Sequence, residues 1–180
     1  MGSMITRGAG AIASGLAGAA AMTAAHEQVR DNMSNPPRMD LVGMRGVMKV
    51  LDALGIESPR GEDLRRLALF SDIATNGLFF ALVHGRARPG TWKRGLFLGA
   101  LAGVAAVTLP QHLGLGRSAR MRTPSNQAAT VGLYILGGLA AAAVSRLVRG
   151  RREQSVLSRA RTQASVARGE TDGLSTPAVP

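Results

Sequence analysis

The sequence predicts an all-α integral membrane protein: a bundle of four transmembrane helices with one amphipathic helix at the interface. Three observations lead there. Hydrophobic residues, 46% of the chain, gather into four blocks separated by charged connectors. Those blocks are mostly Ala, Gly, Leu and Val; aromatics are 3% of the chain, while glycines number 23. A core assembled by water exclusion leans on bulkier side chains, whereas small residues let helices approach closely in lipid, where packing drives association. Finally, the net charge of +11 sits beside apolar blocks, which makes anionic lipid a simpler partner than nucleic acid. The chain has no cysteine, which excludes disulfides, Cys-based zinc sites and a Cys nucleophile.

The first span is expected over residues 8–25, uninterrupted by charge and ended by His26 and Glu27. Gly10, Ser14 and Gly18 recur every four residues, as do Ala11, Gly15 and Ala19, so each row forms a smooth stripe on a helix. The rival reading is a cleaved signal peptide with a small-residue site at Thr23–Ala24–Ala25. One arginine makes a thin basic leader, and the block is Gly-rich rather than Leu-rich, which favours a retained span.

A connector follows, in which Asn35–Pro36–Pro37 breaks any helix. Over residues 39–54 the apolar positions Leu41, Met44, Val47, Met48, Leu51 and Leu54 have helical spacing, with Arg45, Lys49 and Asp52 off the stripe. This segment is too short and too charged to span a bilayer, and it reads as the interfacial helix, with Asp40 near its start and Gly55 as its stop. Ser58–Pro59 is expected to begin the next helix, with Glu62 and Asp63 near the positive end of its dipole.

The second span, residues 67–83, carries Asp72, Thr75 and Asn76 inside an apolar stretch. A basic turn with Trp92 at headgroup level leads to the third span, residues 95–109, where Gly95, Gly99 and Gly103 form a double GxxxG. Pro110 ends or kinks it, and His112 follows. The fourth span covers residues 128–148 and ends on Arg146, Arg149, Arg151 and Arg152. The membrane domain is therefore expected over residues 1–150, and residues 151–180, polar and Ser/Thr-rich, as a largely disordered tail.

Four spans put both termini on one side. That side holds Arg7, the basic Trp92 turn and the arginines after the fourth block; the bias in Lys and Arg near span ends places it in the cytoplasm.

The connector HEQVRDNMSNPPRMDLVGMR, with His26, Glu27, Pro37, Arg38, Met39, Asp40 and Gly43, follows an Ala/Gly-rich first span. It resembles that of uncharacterised bacterial multi-pass inner-membrane proteins. The resemblance covers the first third of the chain and implies an inner (cell) membrane location, with no activity attached.

An ionisable residue inside a span is by default a functional candidate. Asp72 and Asn76 lie one turn apart on one face, and the four-span topology puts His26, Glu27 and His112 on the same side of the membrane as that face. These five residues form the candidate polar cluster. There is no HExxH, no ExxH and no paired ligand spacing, so no metal ligands are assigned, and no cofactor is identified. Walker, GxGxxG and GxSxG patterns are absent too, and aromatics are too few for a nucleic-acid stacking platform. The first expectation is a non-enzymatic structural, assembly or accessory subunit. It would pack through the small-residue faces of Gly10, Ser14, Gly18, Gly95, Gly99 and Gly103, its partners being the bilayer and other membrane subunits or a second copy. The alternative is a small transporter, proton conduit or metal-dependent membrane enzyme built on the polar cluster.

Overall fold

The computed structural model describes residues 2–32, 36, 38–85, 89–116 and 123–172, the side chains of residues 2–7 and 167–172 aside. Within these the chain is all-α and forms five helices: α1 Gly2–Asn32, α2 Met39–Ala53, α3 Gly61–Ala81, α4 Thr91–His112 and α5 Pro124–Asp172. Asn35 and Pro37 of the expected helix break, and residues 86–88 of the basic turn before Trp92, lie outside the described residues, as do residues 117–122.

Three of the helices are long and apolar enough to cross a membrane: the segments Gly8–Asn32, Thr91–His112 and Pro124–Val166. The chain therefore has multi-pass membrane character. The expected second span is not among them. Its apolar stretch belongs to α3, whose 21 residues also take in Glu62, Asp63, Arg65 and Arg66 ahead of Asp72, and this charge dilutes its hydropathy.

Inside and outside are distributed as lipid exposure requires. Phe70, Leu78 and Phe97 are among the most exposed large hydrophobic residues, at 72%, 71% and 66%. Ser14, Asn76, Thr91, Thr130 and Ser145 are buried. The apolar centre is small, formed by Met22, Phe80, Val83, Leu133, Tyr134, Ala141 and Ala142. In water such an outer surface would be an aggregation liability; in lipid it is the ordinary state.

Small residues set the helix spacing. α1 packs on α3, and Gly15 lies against the backbone of Gly77 and Ala81. On the other row, Ser14 is buried and donates to the Gly10 carbonyl at 2.8 Å, while a Cβ on Gly18 would stand 2.6 Å from the Gly137 carbonyl of α5. The glycine stripe of α4 faces α5: Gly95 meets Gly138, Gly99 meets Tyr134 and Ile135, and Gly103 meets Val131.

Helix ends follow local chemistry. α2 stops in a Schellman turn, with Gly55 at φ +70°, Ile56 N–H donating to Leu51 at 2.9 Å and Gly55 N–H to Asp52 at 3.0 Å. α4 carries Pro110 in its last turn and continues to His112 before the same motif closes it on Gly114, with Leu115 N–H donating to the Pro110 carbonyl at 2.9 Å. α3 begins at Gly61, not at Ser58–Pro59; Gly61 has φ +58°, a left-handed turn that separates the helix from the preceding residues.

The chain divides into two units at Arg146/Leu147. The first holds the helices just described up to Arg146. In the second, the helical conformation extends to Asp172, and residues 173–180 of the expected tail lie outside the described residues. Residues 151–168 contain neither Gly nor Pro, and Arg and Ala, both good helix formers, are among their commonest residues beside Ser, so helix propensity favours carrying the turns onward. The described side chains from Glu153 to Val166 are exposed.

Candidate functional site

The centre of the site is one face of α3. Asp72 and Asn76 stand one turn apart, and Asn76 Nδ2 donates to Asp72 Oδ1 at 2.9 Å. Asn76 is buried, with 8% exposure, as is Tyr134 of α5 at 7%. The Tyr134 hydroxyl lies beside the Asn76 amide and within electrostatic range of Asp72. A buried phenol needs a polar partner, and here the α3 amide supplies it.

These three groups border a cavity of about 530 Å³. Its apolar walls come from Met22 on α1, Met39 and Met44 on α2, Phe79 on α3, and Ala102, Ala106 and Leu109 on α4. Its polar part holds His26, Glu27, Arg30, Asp40 and Arg65 besides Asp72 and Asn76. His26 lies within electrostatic range of both Asp40 and Asp72.

Most charges around the cavity are paired. Arg30 pairs with Glu27, and Arg65 lies 3.8 Å from Glu62. Arg38 Nε and Nη2 each donate to the Asp40 carboxylate at 2.9 Å, the planar fork that suits guanidinium and carboxylate. Partial burial pushes the Asp40 carboxyl up, but the Arg38 hydrogen bonds and charge outweigh it and hold the group below the usual carboxylate range. The Asp40 partner in turn raises the Arg38 guanidinium.

α2 closes one side of this cavity although none of its residues is buried. It is fastened by two cations one turn apart: Arg45 Nη1 donates to the Leu115 carbonyl at 3.1 Å and Lys49 Nζ to the Leu113 carbonyl at 2.6 Å. Leu113 caps α4 and Leu115 follows its closing Gly114, so both cations sit at the C-terminal end of that helix, where positive charge is favoured.

Of the five residues in the expected cluster, the structure brings four to the cavity: Asp72, Asn76, His26 and Glu27. His112 is exposed and outside the lining; its Nδ1 donates to the Thr108 carbonyl of its own helix at 3.0 Å. Among the described residues no three His, Asp or Glu side chains come together as a metal-ligand group. Sequence reasoning passed over Tyr134 and the Arg38–Asp40 fork. Tyr134 had a signal: it is the sole tyrosine of the chain, and it sits in an apolar block where its hydroxyl requires a partner.

A second polar contact lies elsewhere in the first unit, where Ser145 Oγ of α5 and His84 Nδ1, just past α3, are 2.9 Å apart. Ser145 is fully buried, so this contact joins the two segments and offers no hydroxyl to a substrate.

Comparison with family models, with curated proteins and with solved structures finds no match for this chain.

Proposed function

We propose that this protein is a cell-membrane protein of four spans that binds a small amphipathic molecule in the cavity at Asp72, to carry or hold it. The observation that carries the reading is the cavity itself: about 530 Å³, within the roughly 300–1,000 Å³ common for small-molecule sites. Its apolar walls end on a polar group formed by Asp72, Asn76 and Tyr134. α3 serves as the fourth span, supported by its packing on α1 and by its outward Phe70 and Leu78. The bias of Lys and Arg supports cytoplasmic termini, and the connector resemblance supports the bacterial inner membrane.

The small-residue stripes weigh against a role that needs them free for another subunit, because Gly15, Gly18, Gly95, Gly99 and Gly103 are occupied within the chain. An accessory-subunit role retains one support: the outward apolar faces, which another membrane helix would cover as well as lipid does.

The test is to purify the protein from native membrane and identify what accompanies it by mass spectrometry, alongside Ala106→Phe, which fills the cavity. A small molecule present in the wild type and lost in a correctly inserted Ala106→Phe supports the binding reading. An identical complement in both, or a stoichiometric partner subunit with no small molecule, supports the accessory role instead.

A further inference from the structure

We infer that the ligand of this cavity is a cationic amphiphile, a protonated amine on a single short apolar chain, with the ammonium at Asp72 and the chain along α4. The inference rests on the binding reading above and adds the charge and orientation of the ligand.

The charge follows from how the ionic groups are already engaged. Glu27 holds Arg30, Glu62 holds Arg65, and Asp40 holds Arg38 in a two-point fork. The cations are therefore drawn toward protein carboxylates, leaving less positive charge for an anionic head. Asp72 is different: the side chain donating to it is the neutral amide of Asn76, which orients the carboxylate without neutralising it, and the group of basic character within its electrostatic range is the His26 imidazole, which Asp72 shares with Asp40. Asn76 occupies Oδ1, and a carboxylate has further lone pairs with which to accept an ammonium N–H. A cation meeting a half-buried carboxylate makes a charge-assisted hydrogen bond, stronger than the neutral kind. The aromatic ring of Tyr134, another lining group, adds a surface that attracts cations.

The chain direction follows from α4. Ala102, Ala105, Ala106 and Leu109 line the cavity, a spacing that places them on one helix face. Three of them are alanines, so this face is shallow and apolar and can take a thin alkyl chain. Met22, Met44 and Phe79, from other helices, add bulk to the lining, and methionine adapts readily to an apolar guest.

The experiment uses the full chain in nanodiscs of zwitterionic lipid, with octylamine, octanol and octanoate as probes of equal chain length. Binding is read by calorimetry and by the shift in melting temperature. The Ala106→Phe protein measures simple partitioning into the disc. Octylamine should bind the wild type about tenfold or more tightly than octanol, a factor that corresponds to about 1.4 kcal/mol, and octanoate more weakly still. Asp72→Asn should remove the amine preference and leave octanol binding unchanged, which also shows that the variant is folded. Glu27→Gln should keep the preference. Equal binding of all three probes, or a preference for octanoate, overturns the cationic inference while leaving the binding reading standing. Probe uptake no greater than in Ala106→Phe overturns both.

Discussion

At the scale of single residues, the polar chemistry is concentrated on Asn76. Its amide donates to Asp72 and lies beside the Tyr134 hydroxyl, so it joins α3 to α5 across the cavity edge. Deleting it leaves polar groups short of a partner, and such groups are costly where water is scarce. Asn76→Ala should lower stability by about 1–2 kcal/mol, toward the upper end of hydrogen bonds measured in membrane bundles. Asp72→Asn should cost less, because an amide can still meet an amide. Steric-trap or detergent unfolding of the two variants checks the order, and a neutral Asn76→Ala would show that the link is not structural. The buried Ser145 contact with His84 is simpler: Ser145→Ala should cost about 1 kcal/mol, with ligand binding untouched.

At the scale of elements, the α4–α5 contact is set by backbone approach. A Cβ on Gly99 would lie 2.6 Å from the Tyr134 carbonyl and 2.7 Å from Ile135 Cα, and neither is a flexible group that can swing aside. Gly99→Ala should destabilise by about 1–3 kcal/mol, the usual range for overpacking. Gly132, on α5 with open space around the position of a Cβ, provides the control: Gly132→Ala should be neutral or stabilising by up to about 1 kcal/mol, from helix propensity. Equal effects in one unfolding assay would mean that α4 and α5 separate easily. Ala102, on the same helix, is no such control because it is partly buried and lines the cavity.

The α2 helix has a pH signature of its own. Asp40 is held below its ordinary value, despite partial burial, by Arg38. Its contribution is therefore fully present above the unfolded carboxylate value of about 3.9 and is lost as pH falls through the lower folded-state value. A spin label on an exposed α2 position such as Val50 should keep its mobility from neutral pH to about pH 4 and gain mobility below. With Asp40→Asn that acid transition should disappear. The effect should be small, because both side chains are about one-third exposed, and exposed pairs contribute about 1 kcal/mol or less.

At the scale of the whole molecule, the membrane reading is tested by extraction and by topology. The chain should stay with membranes through carbonate and high-salt washing, since apolar spans rather than surface charge hold it; release by salt alone would contradict this. Because the natural chain has no cysteine, single cysteines report sidedness directly. Four spans require labels at Lys93 and Glu153 to react from one side and labels at Asp31 and Leu113 from the other. Labels at Leu54 and Lys93 reacting from the same side would mean that α3 does not cross.

Much of this was settled by local chemistry and is legible in the order of residues. The helical stripe from Leu41 to Leu54 and its stop at Gly55 follow from spacing and from a left-handed cap, and α2 occupies Met39–Ala53. The one-turn separation of Asp72 and Asn76 is a property of any helix. Tertiary structure decided what these residues meet. It brought Tyr134 to Asn76 from 58 positions away, which no periodicity encodes. It set the α4 glycines against α5, although a GxxxG stripe looks the same whatever covers it. It also left His112 outside the cavity, because a side chain's direction at a helix end depends on the final turn rather than on proximity in sequence. Hydropathy pattern is additive along the chain and so can be read from it. A cavity is the space that several helices fail to fill together, and only their packing determines where that space lies and which side chains reach it.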